Sequence, residues 1–188
     1  MLAKELNSFL KSETLNFVPM NENYLEDYYK WINDREIIKN LETSHFPKTK
    51  KQLLHYMDSI NESKDFVFFA VIEKNTNKYI GNAKLGPIDW INRTADYGRM
   101  IGAKDMQGKG YGTEMAKMLL YYAFMILNLN KVTAGTVENN LSSIKSNEKI
   151  GLEKEGVLKQ QLYREGQYKD VIKMGITRAK YLTLNNIE

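Results

Sequence analysis

Apolar residues recur along this chain with two different periods, and the switches between them mark the elements. Thr14-Leu15-Asn16-Phe17-Val18 alternates as a strand does, and Pro19 ends it. Asn21 or Asn23 can cap the next element, where Leu25, Tyr28, Tyr29 and Ile32 fall at helical spacing between Tyr24 and Asn33. A short helix over 36–41 follows. Thr49-Lys50-Lys51-Gln52 is a capping box, and Leu53, Leu54, Met57 and Ile60 continue it as one apolar side. Phe66-Val67-Phe68-Phe69-Ala70-Val71-Ile72 is apolar throughout, the pattern of a central strand covered on both faces. Asn75-Thr76-Asn77 turns it into a hairpin partner over 79–85, which Gly86-Pro87 is expected to break.

The second half begins with a strand over 95–101. A glycine-rich loop follows, then a long amphipathic helix over 112–127. The remaining elements are a strand over 131–137, a helix from Leu141 to Ile150 stopped by Gly151, and strands over 156–164 and 167–176 joined by Glu165-Gly166. This order predicts an α/β domain with a mixed, mostly antiparallel sheet of about seven strands. The strands flanking the long helix are its parallel pair, because a β-α-β crossover joins them. The domain is expected over 14–178, between an N-terminal extension, 1–13, and a C-terminal tail, 179–188. Leu2, Leu6, Phe9 and Leu10 give the extension helical spacing, which fits a short helix or a loose arm.

Bulk properties narrow the chemistry. The 188 residues suit one domain, with 43% hydrophobic and 27% charged residues. Cysteine is absent, which removes disulfides, thiolate metal sites and a cysteine nucleophile together and fits a reducing, cytoplasmic setting. No apolar run approaches a membrane span, and the first residues do not read as a signal peptide. A net charge of +4, spread along the chain, does not favour a nucleic-acid partner.

Gln107-Gly108-Lys109-Gly110-Tyr111-Gly112 stands between a strand and a helix. Unpaired N–H groups at a helix N-terminus, with glycines that let an anion approach, form a phosphate cradle. The spacing is one residue short of a dinucleotide fingerprint. A P-loop needs a glycine five positions before the Gly-Lys pair and a Ser or Thr after the Lys, where this chain has Ala103 and Gly110.

With this loop in this place, the chain resembles the GCN5-related N-acetyltransferase (GNAT) superfamily. Gln107 to Gly112 matches its pyrophosphate loop. Asn140-Leu141-Ser142-Ser143-Ile144, with Glu148-Lys149-Ile150-Gly151-Leu152, is similar to a second family segment. Glu155-Gly156 and Gly166-Gln167-Tyr168-Lys169-Asp170 are similar to closing motifs of the branch containing ribosomal-protein alanine, spermidine and nucleotide-amino-sugar acetyltransferases. The resemblance implies a GNAT fold whose parallel strands splay apart. It also implies acetyl-CoA as co-substrate, without a metal, and direct transfer to a primary amine.

The implied cofactor set is Met100, Ile101, Gln107, Gly108, Lys109, Gly110, Tyr111, Gly112, Thr113 and Asn140. Main-chain groups near Met100 and Ile101 would meet the pantetheine arm, and Asn140 would contact it by its side chain. Ser143 matches a serine that faces the leaving thiolate, and Asp96 stands where many relatives carry a glutamate, in a position to act as base. Asn147 occupies the place of the tyrosine acid of spermidine-type members. His45, Trp31, Glu42 and Arg99 are candidate acceptor contacts. The expected acceptor is a small-molecule amine, first a nucleotide-linked amino sugar. A protein N-terminus or a polyamine is the alternative, with an inactive acetyl-CoA-binding module as a reading of another class. The expected assembly is a monomer or homodimer.

Overall fold

A computed structural model describes residues 7–41 and 46–187. Its frame is one sheet of eight strands: β1 (Leu10–Lys11), β2 (Leu15–Pro19), β3 (Val67–Glu73), β4 (Lys78–Asp89), β5 (Thr94–Ile101), β6 (Lys131–Val137), β7 (Glu153–Arg164) and β8 (Gln167–Thr177). They lie in the order β1-β2-β3-β4-β5-β6-β8-β7, and β5 with β6 is the parallel pair. The helices are α1 (Leu25–Ile32), α2 (Arg35–Ile38), α3 (Lys50–Glu62), α4 (Tyr111–Tyr121), α5 (Leu141–Lys149) and α6 (Arg178–Leu184).

Adjacent side chains of β3 show how the layers are built. Phe68 points to the α1 and α3 side, where its ring meets Tyr28 at 5.9 Å and Tyr56 at 6.0 Å. Phe69 points the other way, to Tyr122 at 5.8 Å just beyond α4. A strand turns successive side chains to opposite faces, so an apolar run without alternation needs cover on both. The capping box of α3 forms as expected: Gln52 N–H donates to the Thr49 hydroxyl at 3.2 Å, and Thr49 N–H donates back to the Gln52 side chain at 2.9 Å.

Four local expectations change. The Phe9–Leu10 part of the N-terminal extension is not helical: Leu10–Lys11 pairs with Asn16–Phe17 as an edge strand, while residues 1–6 lie outside those described. The arm is pinned because Glu114 on α4 accepts hydrogen bonds from Ser12 Oγ at 2.6 Å, Thr14 N–H at 2.8 Å and Thr14 Oγ1 at 2.6 Å. Gly86-Pro87 does not end β4. The strand passes through a cis peptide there, and its pairing with β5 shifts register between Leu85 and Ile88. The long helix is α4 plus one π-helical turn over Tyr122–Ile126, where Leu127 N–H reaches the Tyr122 carbonyl at 3.0 Å. The C-terminal tail contains α6, capped by Thr177 and packed through Tyr181 on Phe124 at 5.0 Å.

The site depends on how briefly β5 and β6 stay together. Their ladder runs through Thr94↔Lys131, Ala95↔Val132 and Asp96↔Thr133. Beyond Asp96, β5 pairs only with β4, and β6 from Ala134 to Val137 pairs with β8. The strands therefore part into a wedge. Main-chain groups that a continuous sheet would pair are left facing it, and backbone polar groups require partners.

Candidate active site

The wedge opens into a cleft of about 730 Å³. It has two halves on opposite sides of the sheet. The half on the α4 and α5 side begins at the glycine loop. Gly108 and Gly110 have φ of 75° and 88°, the left-handed region that glycine enters without strain. A Cβ built at either would meet only open space, so their need for glycine is conformational. Gly110 caps α4, whose first turn closes with Thr113 and Glu114 N–H donating to the Gly110 carbonyl at 3.0 and 3.2 Å. The N–H groups before them are the free donors of a helix N-terminus, at the positive end of its dipole. Gln107 ties this loop to β5 through its amide, donating to the Ile101 carbonyl at 2.9 Å.

The cleft brings together most of the residues singled out in the sequence: Asp96, Arg99, Met100, Ile101, Gln107, Gly108, Gly110, Gly112, Thr113, Asn140 and Ser143 all line it. Lys109 and Tyr111 flank the loop without lining the cleft, and the Lys109 ammonium lies 3.7 Å from Met106 Sδ. Thr113 and Ser146 share a 2.8 Å hydrogen bond that joins α4 to α5. Asn140 caps α5 by accepting from Ser143 N–H at 3.3 Å, and Ser142 Oγ donates to the same oxygen at 3.0 Å. Ser143 sits in the first turn of α5, half-buried. Among the described residues its hydroxyl has no hydrogen-bond partner.

Asp96 stands at the vertex. It accepts a close hydrogen bond from Thr133 Oγ1 and lies 3.5 Å from the Lys173 ammonium. Its carboxylate is thus shared between holding the last rung of the ladder and facing the cleft. Arg99 does not reach into the acceptor half. Its Nη1 donates to the Tyr97 hydroxyl at 2.7 Å and to Asn147 Oδ1 at 3.0 Å, on the α5 side of β5.

The other half of the cleft lies against α1, α2 and α3. Tyr28, Tyr56 and Phe68 form an aromatic wall, with Glu36 and Lys84 among the charged groups. Burial pushes the Tyr28 hydroxyl well above the usual phenol range, with a smaller contribution from Tyr56, so it serves as a neutral hydrogen-bonding group. Asn82, opposite Met100 in the β4–β5 pairing, accepts from Tyr79 and is 5% exposed. Trp31 is not in this cleft. Its ring packs on Tyr79 at 4.6 Å and against the bare Cα of Gly102, where a Cβ would come within 1.9 Å of it. It borders a separate cavity of about 450 Å³. His45 and Glu42 lie outside the described residues.

Sequence reasoning passed over Tyr97, Tyr28, Tyr56, Lys84 and Lys173. Each reads as an ordinary core or surface residue in its own element. Only strand alternation, which sets Tyr97 and Arg99 on one face of β5, offered a signal for any of them.

A strand wedge fed by a glycine loop at a helix N-terminus suits an acyl-CoA-dependent transferase. The comparisons agree with the geometry. Residues 14–153 match the model of the acetyltransferase (GNAT) domain, and the chain belongs to that family. It is 31% identical over 148 residues to the SPbeta prophage-derived uncharacterized N-acetyltransferase YokL of Bacillus subtilis, covering 79% of this chain and 82% of that one. It is 34% identical over 112 residues to the spermidine N(1)-acetyltransferase of Vibrio cholerae, covering 60% of this chain and 64% of the relative. A crystal structure of spermidine N-acetyltransferase from Vibrio cholerae, in complex with CoA and spermine, superposes with a TM-score of 0.85 at 26% identity, covering 91% of this chain and 99% of the other. The chain is an N-acetyltransferase that uses acetyl-CoA.

Proposed function

We propose that the acceptor is a polyamine such as spermidine, in place of the nucleotide-linked amino sugar that the sequence first suggests. The observation that carries this reading is the structural likeness, over nearly the whole length of both chains, to an enzyme described with CoA and spermine. The acceptor half of the cleft suits an extended organic cation. The faces of Tyr28, Tyr56 and Phe68 attract ammonium groups, and the Glu36 carboxylate stands at the same side. Lys84 is the observation on the other side. Its ammonium, over the Phe66 ring at 5.4 Å, would favour an amine that also carries an anionic group. An amino sugar joined to a nucleotide diphosphate is therefore the second reading.

Transfer requires a neutral amine to attack the thioester carbonyl, a dipole to steady the developing oxyanion, and proton exchange. The wedge-facing main chain near Met100 and Ile101 can supply the dipole. Asp96, at the vertex between the two halves, is placed to receive the amine's proton directly or through water. CoA release from acetyl-CoA, measured with spermidine, spermine, a nucleotide-linked amino sugar and a peptide with a free N-terminus, separates the readings. Spermidine or spermine is expected to show the highest kcat/KM. A preference for the nucleotide-linked sugar would transfer the assignment to the second reading.

A further inference from the structure

The leaving sulfur also needs a proton, and Asn147 on the helix after β6 carries an amide, which is no acid. Asn147 is buried, at 1% exposure, with its amide nitrogen directed at Thr136 Oγ1 (3.4 Å) and Met174 Sδ (3.7 Å). That orientation turns Oδ1 toward β5, where it accepts from the Tyr97 hydroxyl at 2.6 Å and from Arg99 at 3.0 Å. Tyr97 is the first β5 residue past the last rung shared with β6, and it lines the cleft where the strands part. A phenol is thus present at the wedge, delivered by the strand instead of by the helix.

The geometry points to the Tyr97 hydroxyl as the acid that protonates the departing thiolate. The inference rests on the acetyl transfer proposed above. The amine nitrogen forms a bond to the carbonyl carbon, the carbon–sulfur bond breaks, and its electron pair goes to sulfur. The phenol proton moves to that sulfur to give the free thiol of CoA. The proton released by the amine leaves through Asp96 or water, and the phenolate regains a proton from solvent. The hydroxyl hydrogen is held on Asn147 at rest and is free to rotate about the C–O bond.

The surroundings suit this cycle. Burial pushes the Tyr97 hydroxyl up and keeps the proton on it between turnovers, while the Arg99 guanidinium pulls the other way. Arg99 donates to the phenol oxygen at 2.7 Å, so it is in place to support the phenolate once the proton has left. Ser143 sits at the start of α5 with an unengaged hydroxyl. It fits as a hydrogen-bond donor to the arm or the sulfur, whereas the Tyr97 oxygen has the Arg99 guanidinium on it.

Tyr97→Phe keeps the ring and removes only the hydroxyl. Two readouts test it, and only one needs the acceptor. The first is the ultraviolet titration of the CoA thiol on the enzyme. A donor to sulfur favours the thiolate, so the bound thiol should ionise at lower pH than free CoA, and Y97F should abolish that difference. The second is turnover with spermidine, where kcat should fall about 100-fold or more, the range of a lost general acid. CoA affinity in the variant should stay within about threefold of wild type, which also reports that it has folded. A bound thiol that titrates identically in both proteins, or a kcat close to wild type, would overturn the assignment of Tyr97. If the titration difference is present while spermidine is not acetylated, the acceptor reading fails and Tyr97 stands.

Discussion

At the scale of single residues, the site divides into groups whose role is fixed by backbone and groups whose role depends on a hydroxyl. Asn140 belongs to the first kind: its Oδ1 accepts from Ser143 N–H while the residue lines the cleft, so helix cap and arm contact are compatible. Ser143 belongs to the second. Ser143→Ala should lower kcat about 3- to 30-fold with CoA affinity unchanged, a loss in the transition state and not in binding. Steady-state kinetics beside a CoA titration would check this, and equal losses in both would mean that Ser143 only holds the arm. Much of this scale was legible. Gly108 and Gly110 announced a phosphate cradle, though their left-handed backbone came only with the structure, and Asn140 announced a cap. Tyr97 did not announce itself, because a tyrosine in an alternating strand looks like core until a partner such as Asn147, fifty residues on, is placed beside it. Trp31 shows the opposite failure. An aromatic at the end of the first helix suggested the acceptor site, but Gly102 leaves a gap that the indole fills.

At the scale of elements, the central device is the short ladder between β5 and β6. On the far side of β5, β4 packs closely against the strand that forms one wall of the wedge. A Cβ at Gly81 would lie 2.0 Å from the Met100 carbonyl, so Gly81→Ala must push β4 and β5 apart beside the wedge. We expect a loss of about 1–3 kcal/mol in thermal or denaturant unfolding, with kcat falling as well because Met100 moves. The N-terminal arm carries a pH dependence. Burial alone would raise the Glu114 carboxyl, but hydrogen bonds from Ser12 and Thr14 outweigh it and hold it below the usual carboxylate range. A carboxyl depressed in the folded state contributes stability above its unfolded value, near pH 4, and loses that contribution as pH falls through the folded value. Glu114→Gln should therefore cost about 1–3 kcal/mol at neutral pH. It should also flatten the decline of Tm on acidification, since the variant has no carboxylate to protonate. A decline as steep as in wild type would contradict the role of Glu114. The strands and helices with strong periodicity were legible, including Lys131–Val137 to the residue. The two-residue β1 was not, because so short an edge strand has no period and exists only through β2 and Glu114. The run of β4 through Gly86-Pro87 was hidden too, since a register shift absorbs what local chemistry marks as a break.

At the scale of the whole molecule, the two faces of the sheet divide the labour. On the reading proposed here, the α4 and α5 side would hold the donor's phosphates and sulfur, the α1 to α3 side would meet the acceptor, and Asp96 sits where the halves join. The sequence named the donor because a pyrophosphate asks for a local motif, one loop and one helix N-terminus. It could not name the acceptor, whose wall is gathered from Tyr28, Tyr56, Phe68 and Lys84 on separate elements. Among the described residues no helix is long and apolar enough to cross a membrane. The assignment of the cleft requires the glycine loop and the wedge to act together as the acetyl-CoA clamp. Calorimetric titration of CoA into wild type and Gly110→Asp tests this most directly. Wild type should bind with a Kd somewhere between about 1 μM and 1 mM, the span of ordinary substrate affinities. The variant, with a carboxylate facing the pyrophosphate and a side chain forced into φ 88°, should show no measurable binding. Equal affinity in the two proteins would contradict the clamp.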